Sequence, residues 1–341
     1  MAERCLVVGP AWVGDMIIAQ SLYQALKTRY PDLALDVLAP TWSAGILARM
    51  PEVRRSLLAP FAHGQFDWAG RRRLARELRG QYYDWAIILP NSWKSALAPF
   101  LAGIPRRTGY VGEFRYGLLN DPRRLDKRAL PRLADRYCAL ADQTTGTKAG
   151  GVVSCPPRLT VNPMTQRNAL ARFGLTTDRK ILALCPGAEY GSAKRWPERH
   201  YAAVARAKRA AGWQIWLVGS ARDQTVAAAI QQQTGDACVN LAGLTTLEET
   251  VDLLACSSAV VSNDSGLMHL AAAVGAPVLA LYGSTDPGYT PPLADRMRIL
   301  CLKLECSPCF QRQCPLGHHH CLTQLHPEQV LTALSDLEAN R

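Results

Sequence analysis

Residues 185–197 read CPGAEYGSAKRWP, and the fold is decided there. The run before it, KILALC over 180–185, is apolar and of the length of a buried parallel strand. A Pro-Gly break follows, then small residues, then Lys194 and Arg195, then Trp196 and Pro197. Pro197 suits the first position of a helix, where its missing N–H has no helical partner to lose. The helix is expected to reach Ala211, with Gly212 as its stop. Strand, loop, cation and helix in that order form an anion-holding arrangement at the carboxyl end of an α/β sheet. The plainer alternative is an ordinary connection with a solvated Lys-Arg pair.

The same alternation extends in both directions. Upstream, strands are expected at 5–9, 33–38, 55–59 and 84–90, with helices at 16–30, 42–50, 68–79, 93–102 and 131–143. Residues 106–120 read as a basic, aromatic loop. Downstream, strands are expected at 181–185, 214–218, 259–262 and 278–282, with helices at 197–211, 221–234, 246–255 and 266–274 and a closing helix at 327–339. The stretch 144–163 is rich in Thr, Gly and Pro, lacks periodicity and marks a boundary. The chain therefore reads as two Rossmann-like α/β halves, 1–160 and 161–325, with a C-terminal helix over 326–341. Such halves are expected to face each other across a cleft.

A chain of 341 residues with 48% hydrophobic content is long enough for two cores. No apolar run is long enough to span a bilayer, and the N-terminus lacks the pattern of a secretion signal, which points to the cytoplasm. Eleven cysteines at irregular spacing then read as reduced thiols. Residues 1–160 hold 23 Lys and Arg against 13 Asp and Glu, whereas residues 161–341 hold 16 against 15. The excess positive charge is confined to the first half. It suits an acidic partner, either nucleic acid or an anionic, phosphorylated lipid surface, or it serves solubility alone.

Three loops are candidate ligand sites. In GPAWVGD, residues 9–15, the glycine spacing fits neither a dinucleotide fingerprint nor a P-loop. It leaves Asp15 at the start of a helix, as a cap or as a carboxylate able to accept a proton from a hydroxyl. In SNDSGLMH, residues 262–269, the N–H groups around Ser265 and Gly266 can receive a pyrophosphate. There Asp264 suits sugar hydroxyls, and His269 either faces the ligand or is a core histidine. In VGSARD, residues 218–223, Asp223 can hold a ribose diol or cap the next helix. Gly187, in the loop quoted first, is a further donor-side candidate.

The segments GPAWVGDMIIAQSLY, LPNSWKSALAPFLAGIPRRTGY, RYGLLND, CPGAEYGSAKRWP, LVGSARD, SNDSGLMHLAAA and ALYGSTDPGYTPP span almost the whole chain. Together they resemble the bacterial ADP-heptose:lipopolysaccharide heptosyltransferases, glycosyltransferase family 9. The resemblance implies a GT-B fold, with the acceptor on the N-terminal half and the nucleotide sugar on the C-terminal half. It implies inverting transfer of L-glycero-D-manno-heptose from ADP-heptose to the first heptose of the Kdo-lipid A inner core. By the same resemblance Asp15 is the general base and Lys194 neutralises the leaving ADP, with no cofactor required. The partner of the basic half is then an anionic lipid at the inner membrane, not nucleic acid, and the enzyme is cytoplasmic and peripheral to that membrane. Arg71, Arg72, Arg73, Arg106, Arg107 and Arg115 are the acceptor-side candidates. The alternatives are a related transferase with a different acceptor, or a nucleotide-binding Rossmann protein that is not a transferase. Separately, Cys306, Cys309, Cys314 and Cys321, with three histidines at 318–320, have spacing that can hold a structural zinc or an iron–sulfur cluster. The alternative there is a loop of reduced thiols.

Overall fold

The computed structural model describes residues 3–59, 67–142, 154–235 and 237–339. The chain divides into two units, Met1–Pro157 and Arg158–Arg341. Much of the expected boundary stretch, together with residue 143, lies outside the described residues.

The first unit runs β1 (Arg4–Val8), α1 (Val13–Arg29), β2 (Ala34–Pro40), a 3-10 turn (Thr41–Ser43) and α2 (Ala44–Leu47). It continues with β3 (Arg55–Ala59), α3 (Trp68–Arg79), β4 (Trp85–Ile88), α4 (Trp93–Leu101), β5 (Arg106–Tyr110), β6 (Asp121–Arg123) and α5 (Leu133–Cys138). Its six strands are ordered β3-β2-β1-β4-β5-β6, and every pairing is parallel. The inner strands are apolar because both faces are covered; β4 is buried along its whole length.

The second unit runs α6 (Pro163–Arg172), β7 (Ile181–Cys185), α7 (Glu198–Ala210), β8 (Gln214–Leu217), α8 (Gln224–Gln233), β9 (Val239–Asn240), α9 (Leu247–Leu254) and β10 (Ala259–Asn263). After these come α10 (Gly266–Ala273), β11 (Val278–Tyr282), β12 (Met297–Cys301), α11 (His320–Thr323) and α12 (Pro327–Ala339). The sheet order is β12-β11-β10-β7-β8-β9, again with all pairings parallel. Trp196, Tyr201 and Trp213 form the bulk of one core cluster with β7, β8 and β10. The closing helix α12 is not a separate piece: Val330 and Leu334 are fully buried in that same cluster.

Several expectations shift. Pro197 is the N-cap of α7 rather than its first residue, and Gly212, at φ +86°, follows the helix as expected. The expected helix at 42–50 is a 3-10 turn followed by the short α2. The expected loop at 106–120 contains β5, whose sequence RRTGY is not apolar. Arg106 makes a strand there possible. Its guanidinium covers the Trp85 ring at 4.3 Å and pairs with Asp121 at 3.0 Å, and Trp85 Nε1 donates to Thr108.

A buried carboxylate ties down the amino edge of the first sheet. Asp36 on β2 is fully buried and accepts from Arg54, from Arg55 at 2.8 Å and from the Tyr83 hydroxyl at 2.6 Å. Burial pushes its pKa up, but these hydrogen bonds outweigh burial and hold it below the usual carboxylate value. Removing the charge leaves three donors competing for a weaker acceptor. Asp36→Asn is therefore expected to destabilise the protein by about 3 kcal/mol, read from urea unfolding. An unchanged unfolding midpoint would show that the node is dispensable.

Candidate functional site

The second unit assembles its site at the carboxyl edge of the sheet, and Asn263, the last residue of β10, is its post. The Asn263 carboxamide is fully buried. Its Oδ1 accepts from the Trp196 N–H at 3.1 Å and the Tyr201 hydroxyl at 3.0 Å, and its Nδ2 donates to the Pro186 carbonyl at 2.7 Å. One side chain thus holds the loop after β7, the residue before Pro197 and a core tyrosine of α7. Asn263 is a positioning residue that sequence reasoning quoted but did not use. A polar residue ending an apolar run is the signal that could have found it.

Lys194 closes a 3-10 turn, Ser192–Lys194, in the loop so held. Its Nζ stands 2.6 Å from Asp264 Oδ2, with side-chain exposures of 13% and 6%. Thr285, beyond β11, donates its hydroxyl to the same oxygen at 2.5 Å. The expected cation is therefore present but already paired. An ammonium has three donors, so the pair leaves capacity for a phosphate. Ser265, in extended conformation, is the N-cap of α10 and makes no side-chain cap, so Gly266 begins a helix whose first N–H groups lack helical acceptors. His269, one turn on, is buried. Burial, aided by Lys194 and opposed by Asp264, lowers its pKa to about 4, so it is a neutral imidazole at physiological pH.

A second loop braces the first from outside. Ala193 N donates to the Arg312 carbonyl at 3.1 Å, and the Tyr190 hydroxyl donates to the Phe310 carbonyl at 2.7 Å. The Tyr190 ring lies beside both Lys194 Nζ, at 4.9 Å, and the Arg312 guanidinium, at 5.4 Å. Phe310 N in turn donates to the Ser284 carbonyl at 2.7 Å. The cysteine-rich segment therefore joins the Lys194 loop to the end of β11.

The cysteine-rich segment carries the four cysteines of the metal expectation. Cys306, Cys309, Cys314 and Cys321 are free thiols, each partly buried. Burial, then the neighbouring Cys306, Cys314 and Cys309, pushes the Cys321 thiol up to about 11. Burial raises Cys314 as well, but the backbone N–H groups of His319, Leu316, Gly317 and His318 outweigh it and lower its pKa. The Cys314 sulfur is thus engaged with backbone. Among the described residues no group of three or more His, Cys, Asp or Glu is arranged to hold a metal ion.

Asp223 and Gly187 lie against each other. Asp223 Oδ2 accepts from Ser220 N at 2.9 Å and from Ser220 Oγ at 2.8 Å, which makes a capping box. A Cβ on Gly187 would lie 2.3 Å from the Asp223 carboxyl carbon. Gly187 thus makes room for Asp223, whose carboxylate caps the turn that leads into α8.

In the first unit Asp15 is not the N-cap. Trp12 holds that position and Asp15 is the third residue of α1, partly exposed at the carboxyl end of β1. Four of the six arginines expected on the acceptor side are spent on protein groups. Arg106 and Arg107 begin β5 and pair in register with Trp85 and Ala86, which puts them at the amino edge of the sheet. Arg107 donates to the carbonyls of Leu118 at 2.8 Å and Ile104 at 2.6 Å. Arg115 is buried and holds Pro90 O at 2.7 Å, and Arg71 is buried and holds Lys94 O at 2.7 Å. Burial lowers the pKa of both. Arg72 and Arg73 stay exposed on α3.

Two outcomes follow from this geometry. A Cβ on Gly191 would lie 2.1 Å from the Arg312 carbonyl oxygen, so Gly191→Ala must push the brace off the Lys194 loop. Calorimetry with ADP is expected to show about tenfold weaker binding, the scale of one lost charge-assisted contact; wild-type affinity would make the brace irrelevant to the anion site. For His269, the unfolded chain binds a proton near pH 6.5 and the folded chain only near 4. Its contribution is complete above pH 6.5 and is lost as pH falls toward 4, by about 3 kcal/mol in all. His269→Gln is expected to flatten that acid-side fall in urea midpoints, and an unchanged slope would refute the assignment.

Comparisons with known proteins agree with this architecture. Residues 71–320 match the model of glycosyltransferase family 9 (heptosyltransferase). The chain is 47% identical to the lipooligosaccharide heptosyltransferase 2 of Haemophilus influenzae over 98% of this chain and 99% of that one. It is 45% identical to the lipopolysaccharide heptosyltransferase 2 of Salmonella typhimurium over 98% of each. The structure of E. coli ADP-heptose lps heptosyltransferase II superposes with a TM-score of 0.87 at 42% identity, covering 99% of both chains. A single-Rossmann, non-transferase reading is not favoured by these matches. Two parallel six-stranded sheets, the site at the end of β10 and near-full-length similarity lead to one conclusion: the chain belongs to glycosyltransferase family 9, the heptosyltransferases.

Proposed function

We propose that the chain transfers L-glycero-D-manno-heptose from ADP-heptose to the first heptose of the Kdo-lipid A inner core, with inversion at the anomeric carbon. The likeness to relatives named heptosyltransferase 2 over nearly their whole length supports this acceptor. The single observation that carries the donor side is the set formed by Lys194, Asp264, Thr285 and the N-terminus of α10.

An acceptor hydroxyl oxygen bonds to the anomeric carbon as the bond from that carbon to the diphosphate oxygen breaks. ADP leaves with the electron pair, and Asp15 takes the hydroxyl proton. Lys194 and the N–H groups of Gly266 and its neighbours stabilise the charge that grows on the diphosphate. Asp264, held by Lys194 and Thr285, is placed to receive sugar hydroxyls rather than phosphate. No covalent sugar–enzyme intermediate and no resident cofactor enter the reaction.

No helix among the described residues is long and apolar enough to cross a membrane. The basic first half meets the phosphorylated, carboxylated acceptor from the cytoplasmic side of the inner membrane, as a peripheral protein. Arg72 and Arg73 are the exposed acceptor-side cations.

General-base help is typically worth a factor of about 100 or more. Asp15→Asn is therefore expected to lose at least about 100-fold in kcat, followed by ADP release, while calorimetry shows unchanged ADP binding. Retained turnover in that variant would remove Asp15 from the reaction.

A further inference from the structure

The chain has eight tryptophans, and they fall into two classes. Trp85, Trp196, Trp213 and Trp216 are at most 4% exposed, whereas Trp12, Trp42, Trp68 and Trp93 are 39%, 38%, 45% and 37% exposed. All four exposed ones lie in the first unit. Each stands in the connection or helix start that follows one of the strands β1 to β4.

Three of them follow neighbouring strands at nearly the same spacing. Val8 pairs with Leu38 on one side and with Ile88 on the other. Trp12 and Trp42 each stand four residues beyond that rung, and Trp93 stands five beyond it. The strands β2, β1 and β4 are neighbours, so the outer two are about 10 Å apart. That is the span of one to two sugar rings. Trp12 is the N-cap of α1 and Asp15 its third residue, a spacing that puts the two on one side of the first turn. The surroundings are polar: Asn91 lies between β4 and Trp93, the Trp93 backbone N–H donates to Glu113 Oε2 at 3.3 Å, and Arg72 and Arg73 are exposed on α3, the helix that Trp68 begins.

We propose that Trp12, Trp42 and Trp93, with Trp68 at the flank, form an aromatic platform beside Asp15 on which the sugar rings of the acceptor lie. This rests on the reading that the first unit binds the acceptor. An indole presents a negative π face to the C–H face of a sugar ring and an N–H edge to its hydroxyls. Rings set flush in the surface, about three-fifths covered, suit a flat saccharide; rings meant to enter a bilayer would stand proud of it. The acceptor is anionic, and the exposed Arg72 and Arg73 of the same unit match it in charge. The platform gives the base a fixed partner, because a sugar stacked at Trp12 brings its hydroxyls to the first turn of α1.

The test uses the full chain and the inner-core oligosaccharide with its acyl chains removed, so that no membrane is needed. Trp12→Ala, Trp42→Ala and Trp93→Ala are each expected to raise the acceptor KM about fivefold, from the scale of one aromatic contact, with the ADP-heptose KM within twofold. The corresponding Phe variants are expected to recover most of the loss, which general destabilisation would not do. Urea unfolding followed by near-UV circular dichroism confirms that the first unit of each variant is folded. An unchanged acceptor KM in folded variants overturns the platform. So does a pattern in which the variants lose only retention on anionic phospholipid vesicles, which would make the row a membrane contact. Failure of the wild-type protein itself to bind the oligosaccharide, with ADP binding intact, overturns the acceptor reading of the first unit and the platform with it.

Discussion

One buried amide organises the site of the second unit. Asn263 stands where an apolar strand ends, and its four bonding capacities are met by groups that come from far apart in the chain. The partners are the carbonyl of Pro186, the N–H of Trp196, the hydroxyl of Tyr201 and, at 3.4 Å, the carbonyl of Gly187. A buried amide is costly unless satisfied, and when satisfied it admits only one arrangement of its partners. That arrangement carries Lys194 over the start of α10 and into contact with Asp264. The ion pair, the neutral His269 and the exposed helix N–H groups all inherit their positions from this contact.

Buried charge is used differently in the two units. In the first, the buried Asp36, Arg71 and Arg115 and the half-buried Arg107 bind carbonyls, a tyrosine hydroxyl or neighbouring arginines and hold the scaffold still. In the second, Lys194 and Asp264 are nearly as covered, yet they sit at the mouth of the sheet with donors and acceptors to spare. A guanidinium can satisfy several carbonyls in a fixed fork, which suits bracing; an ammonium is a compact charge that can turn from one oxygen to another. The lysine beside Asp264 and the arginines in the frame follow that division.

The apolar strands could be read directly. Runs such as LVV in β1, WAII in β4, ILALC in β7 and VLALY in β11 are buried on both faces and allow little else. The strand β5 escaped because its residues are Arg, Arg, Thr, Gly and Tyr, and a strand of that kind is intelligible only once Trp85 is seen beneath Arg106. The short β6, β9 and β12 at the outer positions escaped for want of a two-sided apolar pattern. At the site, the motif around Asp264 was visible because its members are adjacent in sequence. The pairing of Lys194 with Asp264, the contribution of Thr285 and the consumption of Arg106, Arg107 and Arg115 by main-chain or carboxylate oxygens were not. Each depends on contacts between distant segments, and residue type alone does not say whether a cation meets a ligand or a carbonyl.

The brace on the Lys194 loop has a consequence for biosynthesis. Tyr190 and Phe310 are 120 residues apart in the chain. A ribosome delivers the amino-terminal sheet first, and that unit can close while the rest is still being made. The strand that leads into the Lys194 loop emerges well before the segment that steadies that loop. The fixed cation at the end of the second sheet is therefore among the last features a nascent molecule acquires, so an incomplete chain with a finished first sheet would still lack a steadied Lys194 loop.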